Sequence, residues 1–178
     1  QTDKKEEEES NFAMKLRVKA QPDMEAFIEI DKTSGNVLSG RGNGIIDIET
    51  GNDNFSINGD YTLTTGNYRF AAMGILGRDF QIQDGSSIRF NGDIMDSALD
   101  IDAIYTTKVS LDALIADTTS VSNRRNVECK IDITGNLSNP RIGFGIEIPD
   151  LDPTVSSRVQ SALSTEDKVQ KQFLSLIL

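Results

Sequence analysis

The sequence predicts an all-β protein, a curled antiparallel β-meander with an apolar interior, followed by two short C-terminal α-helices. Three observations carry that reading. Apolar and polar residues alternate along most of the 178 residues, with the two-residue period of a half-buried strand. Clusters of Gly, Asn and Asp separate about ten such runs, as in a meander of short strands. After Pro149 the apolar spacing becomes that of a helix.

The first strand runs from Phe12 to Ala20, with Phe12, Met14, Leu16 and Val18 on one side and Lys15, Arg17 and Lys19 on the other. Gln21-Pro-Asp23 breaks it, and Met24 to Asp31 resumes with Ile28 and Ile30 facing in. Thr33-Ser-Gly-Asn36 turns the chain into the glycine-rich run Ser39 to Glu49. Gly40, Gly42 and Gly44 do not read as a phosphate loop, because Ile45-Ile-Asp-Ile48 continues as strand where a helix N-terminus is required. Thr50 to Asn54 turns again, and Phe55, Ile57, Gly59, Tyr61 and Leu63 share the next face.

Gly66-Asn67 reads as a hairpin turn that sends the chain back through Tyr68 and Phe70. Phe80 and Ile82 lead to the turn Asp84-Gly-Ser-Ser87; Ile88 and Phe90 follow, then Leu99 and Ile101, with Asp100 and Asp102 on the polar side. The pattern weakens from Thr106 to Arg125, with a polar loop at Asp117 to Ser120, and returns at Val127, Cys129, Ile131 and Ile133. Ile142, Phe144 and Ile146 form the last inward row. Asp152 caps a first helix, Pro153 to Leu163, with proline at its first position. Thr165 caps a second, Glu166 to Leu178, with Glu166 and Asp167 in its first turn.

Three units follow: an acidic disordered tail over 1–11, a curled β-sheet domain over 12–149, and a helical segment over 150–178 that reads as truncated. Consecutive short turns favour pairing between sequence neighbours. A long one-sided sheet must then close into a barrel, fold into a sandwich or curl into a groove. Small residues on the apolar face, among them Gly59, Ala72, Gly74, Gly92, Ala103 and Gly135, favour the groove, a U-shaped open barrel. So does the shortage of aromatic anchors: aromatics make up 6% of the chain and Trp is absent. The large inward residues, from Ile28 through Ile146, are the candidate lining.

Composition excludes several chemistries. A net charge of -10 argues against nucleic acid and against an anionic membrane surface as direct partners. There is no His, which removes the commonest general base and most zinc sites. Asp47, Glu49, Asp53 and Asn54 gather near a turn, but their spacing is not that of a calcium loop, and no metal or other cofactor is expected. The lone Cys129 sits in an alternating run and reads as a small core residue.

The run Gly40-Arg-Gly-Asn-Gly-Ile-Ile-Asp-Ile-Glu49, then Phe55 to Phe70, Gly85-Ser-Ser-Ile-Arg-Phe-Asn-Gly92 and Ala98-Leu-Asp-Ile-Asp-Ala103, resembles the C-terminal domain of TamB. Ile131-Asp-Ile-Thr-Gly-Asn-Leu-Ser-Asn-Pro140 and the closing Gln172-Phe-Leu-Ser-Leu-Ile-Leu178 are similar to that family as well, in the manner of its Bacteroidetes members. The resemblance implies the translocation and assembly module of Gram-negative envelopes, which acts in outer-membrane biogenesis and protein secretion. It implies a taco-shaped periplasmic β structure related to AsmA-like phospholipid bridges, with its parent anchored in the inner membrane. The implied partners are an outer-membrane β-barrel of the BamA or TamA type and phospholipid acyl chains. No catalytic residues are implied.

Two functions are therefore expected as alternatives: a non-enzymatic conduit for acyl chains, or a scaffold that pairs an open sheet edge with a barrel strand. Periodicity alone favours an ordinary packed β core without a ligand, and the family resemblance reverses that order.

Overall fold

The computed structural model describes residues 12–31, 33–51, 54–71, 77–111, 114 and 124–178. The acidic tail, Asp53, Ala72, Gly74 and the loop Asp117 to Ser120 lie outside the described residues. One antiparallel sheet contains β1 (Ala13–Ala20), β2 (Glu25–Asp31), β3 (Asn36–Gly51), β4 (Asn54–Phe70), β5 (Arg78–Ile82), β6 (Ser87–Ser110), β7 (Arg124–Asn136) and β8 (Asn139–Glu147). Two helices follow, α1 (Pro153–Ala162) and α2 (Glu166–Ile177). The sheet curls without closing into a barrel, so the predicted all-β class and its two short helices stand.

The strands are fewer and longer than the alternation predicts, because three expected breaks do not reverse the chain. Gly66-Asn67 is the clearest correction: β4 runs unbroken from Asn54 to Phe70 beside β3. Arg41 pairs with Thr65 and Gly42 with Leu63, which leaves Thr64 unpaired in a β-bulge. One extra residue resets the parity, so Leu63 and Tyr68 both face in across an odd separation. β1 and β2 likewise lie end to end along β3, at Gly44–Gly51 and Asn36–Arg41, instead of pairing with each other. Pro22 sits at the kink between them, where a missing N–H costs least. β5 and the start of β6 share β4 in the same way, with Tyr68 opposite Phe80 and Tyr61 opposite Ile88.

The true reversal lies inside β6. Ile82 pairs with Ala103, yet Ser87 follows Ile82 by five residues, a reach of at most about 18 Å. A straight strand from Ser87 to Ala103 would cover about 53 Å. β6 therefore folds back on itself between Ser87 and Ala103. Gly92 has φ 93°, a conformation that glycine adopts without penalty.

At Gly59 the missing side chain serves close approach of two strands rather than a wider lumen, as it does at Gly42. A Cβ on Gly59 would overlap the carbonyl oxygen of Ile45, and one on Gly42 that of Thr62. The backbones of β3 and β4 fill the volume that missing side chains leave. At the other end of the chain the helix caps are as predicted. Asp152 accepts from the Thr154 N–H at 2.8 Å with Pro153 at the first position, and Thr165 accepts from the Lys168 N–H.

Candidate functional site

The inward rows meet in a single apolar interior. Leu63, Tyr68, Phe80, Val127, Ile131 and Ile133 have no solvent exposure, and Ile88 and Ile101 almost none. Ile30, Ile57, Tyr61, Phe70, Ile82 and Leu99 are also buried. Ile28, Phe90, Ile142, Phe144 and Ile146 are half-buried and pack against that core. Apart from Phe55, the candidate lining is covered by the sheet's own side chains and by α2. Leu38 is equally buried opposite Tyr68. The sequence reading leaves it out, although it lies in phase with Gly40 and Gly42.

One end of the trough is shut by aromatic rings, which the composition argued against. The Phe173 ring from α2 lies 4.7 Å from Phe144, 5.8 Å from Phe80 and 6.1 Å from Phe70, centroid to centroid. Tyr105 adds a ring 5.6 Å from Phe80. Stacked, edge and tilted contacts of this kind add to the burial of the rings themselves. Arg78 closes the helix end, with Nε donating to the Ile177 carbonyl at 2.6 Å, and a guanidinium is favoured at a helix C-terminus.

The opposite end is open. Phe55, a candidate lining residue, is 54% exposed, and it shares its row with Thr50 and Met14. Leu16 shares the next row with Ile48 and Ile57 and is 45% exposed. Phe55 and Phe70 are fifteen residues apart on β4, about 50 Å of strand, so the open and shut ends are well separated.

Polar atoms inside are few. Tyr61 Oη donates to the Met24 carbonyl at 2.7 Å and ties the β1–β2 kink to β4. The Tyr68 hydroxyl and Ser97 Oγ are buried without a hydrogen-bond partner, and burial pushes the Tyr68 hydroxyl well above its usual range. Cys129 is fully buried beneath the sheet, as expected of a core residue, and burial pushes its thiol up to about 12. It is not a nucleophile at neutral pH.

The outer face is polar and laced by cross-strand ion pairs. Lys15 meets Glu49 at 2.9 Å and Arg17 meets Asp47 at 2.7 Å, so two acids of the turn cluster are already occupied by cations. Among the described residues no group of acids, His or Cys is arranged to hold a metal ion. One pair is unfavourable: Asp102 and Asp132 stand directly opposite on β6 and β7. Partial burial, then the hydrogen bond and charge of Asp102, hold the Asp132 carboxyl above the ordinary carboxylate range, against the opposing pull of Lys130.

The fold thus binds this proton more tightly than the unfolded chain does. Stability falls as pH rises from about 3.9, the ordinary aspartate value, through the raised folded value. Asp132→Asn is expected to raise Tm by about 1–2 °C at neutral pH, since the site is largely solvated. Thermal melts at stepped pH should show that gain shrinking to nothing toward pH of about 3. A gain independent of pH would remove the carboxylate repulsion as its cause.

The arrangement offers a surface for apolar ligands. Among the described residues no helix is long and apolar enough to cross a membrane. The family model described as TamB C-terminal domain matches residues 1–178, the whole chain. No curated protein and no solved structure gives a significant match. The family consists of non-enzymatic transport and assembly modules of the cell envelope, acting in outer-membrane biogenesis with the outer-membrane assembly machinery. On the match across all of its residues, the chain belongs to the TamB C-terminal domain family.

Proposed function

We propose that this domain works in the periplasm as an apolar trough for phospholipid acyl chains passing between inner and outer membranes. Its parent is anchored in the inner membrane, and the domain docks on an outer-membrane β-barrel of the BamA or TamA type. The observation that supports this reading best is the open end, where Met14, Leu16 and Phe55 continue the buried inner rows into solvent. Each methylene of a chain laid against such a surface contributes about 0.8 kcal/mol on leaving water. A lining of Ile, Leu, Val and Phe holds no fixed polar partner, so a chain can slide along it.

Organic extraction of the purified, folded protein followed by lipid mass spectrometry tests the idea. Wild-type protein is expected to carry acyl lipid. Phe90→Asp places a carboxylate on a half-buried inner position and is expected to carry much less with the fold intact. Folded wild-type protein that takes up no lipid, even after incubation with phospholipid vesicles, would count against the trough.

A second reading has its own support. Among the described residues β8 pairs only with β7 and forms an outer edge of the sheet, whereas the β1–β2 edge carries Lys15, Arg17, Lys19 and the Pro22 kink, which discourage strand addition. β8 is the better edge for β-augmentation by a barrel or client strand. Proline at outward amides of β8 should then weaken barrel capture and leave lipid content unchanged.

A further inference from the structure

We infer that α2 is a gate on the trough, and that an acyl amphiphile with a zwitterionic headgroup enters through the cleft between α2 and β8. This rests on the trough reading above and specifies how the shut end opens. The cleft has a volume of about 760 Å³ and lies beneath the N-terminal half of the helix. Its apolar lining residues are Ile142, Phe144, Leu163 and Val169, among polar neighbours. Phe144 also touches the Phe173 ring at 4.7 Å, so the cleft and the aromatic plug share a wall residue. Its rim carries both signs of charge, Arg141 against Asp132 and Glu166. A phosphate suits the guanidinium and an ammonium suits the carboxylates.

The helix is the part able to move. The strands are bound to one another by continuous backbone ladders. α2 seats on the sheet through Phe173 and Ile177 and through the Arg78 hydrogen bonds to the Ile177 and Leu178 carbonyls. Behind α1 the chain passes Asp150 at φ 58°, outside any strand or helix, which leaves α1 and α2 on a connection free of ladder bonds. An acyl chain arriving through the cleft replaces Phe173 and Ile177 against Phe70, Phe80 and Phe144, apolar contact for apolar contact. The swap lets α2 leave without exposing the interior to water.

The test bridges the cleft. In a Cys129→Ala background, Gly143→Cys and Gln170→Cys place thiols on two exposed lining positions, and a reducible bismaleimide joins them. The probe is palmitoyl lysophosphatidylcholine carrying an environment-sensitive fluorophore on its chain. Bridging is expected to reduce probe binding at least about tenfold, and reductive cleavage to restore it, because apparent affinity scales with the fraction of open protein. Phe173→Ala, unbridged, is expected to bind about tenfold more tightly than wild type for the same reason. Equal binding with the bridge closed and cleaved would overturn the gate while leaving the trough intact. Failure of wild type and Phe173→Ala alike to bind the probe would overturn the trough and the gate together.

Discussion

Gly59→Ala is expected to be among the most destabilising single-methyl substitutions in this protein, at about 3–5 kcal/mol. Gly59 stands opposite Ile46 at φ 130°, and an added Cβ runs into the Ile45 carbonyl oxygen, a backbone atom on the neighbouring strand. Relief requires β3 and β4 to part, and the same two strands carry Leu38, Leu63 and Tyr68 into the interior. Gly92 provides the control. Its φ is 93°, but nothing lies within 4 Å of the added atom, so Gly92→Ala is expected to cost only backbone strain, about 1–2 kcal/mol. Urea denaturation of the two variants separates the causes. Equal losses would mean that close approach of β3 and β4 contributes nothing beyond the dihedral.

Phe173→Asp is expected to undock α2 and leave the sheet folded. Phe173 is fully buried among three other rings, and losing a buried Phe costs about 3–5 kcal/mol before the carboxylate's own desolvation is counted. A twelve-residue helix is marginal by itself in water, so it cannot repay that loss. Far-ultraviolet circular dichroism should keep its β signal while helical signal falls, and limited proteolysis should cut near α2 first. Binding of a dye for apolar surface should rise as Phe70, Phe80 and Phe144 become accessible. Val169→Asp, at a half-buried cleft position, should do much less. Global unfolding of Phe173→Asp would show instead that the helix is an obligatory part of the core.

Much of the fold was legible because strand faces are a local property. Ile28, Leu63, Ile101 and Ile131 face inward for the reason their spacing suggests, and the caps at Asp152 and Thr165 act within a few residues. Gly66-Asn67 misled because a hairpin and a β-bulge both interrupt alternation. Only the partner strand distinguishes them, and β3 continues past the interruption without turning. The same ambiguity makes one interrupted edge out of β1 and β2, while the reversal between Ser87 and Ala103 is hidden inside what reads as continued strand.

Gly59 looked like empty space because a missing side chain gives no sign of what approaches it. Here a backbone does. The convergence of Phe70, Phe80, Tyr105, Phe144 and Phe173, and the meeting of Asp102 with Asp132, join residues far apart in the chain. No spacing rule reaches across such distances.

By itself, then, the sequence determined the β class, the one-sided apolar face, most of its members and the two helices, since each depends on a period of two or 3.6 residues. Only the tertiary structure decided what covers that face: α2 and its Phe173 at one end, and solvent beside Met14, Leu16 and Phe55 at the other. Parity is set by neighbours in the chain, whereas cover is set by strand register and curl, which emerge when distant segments pair.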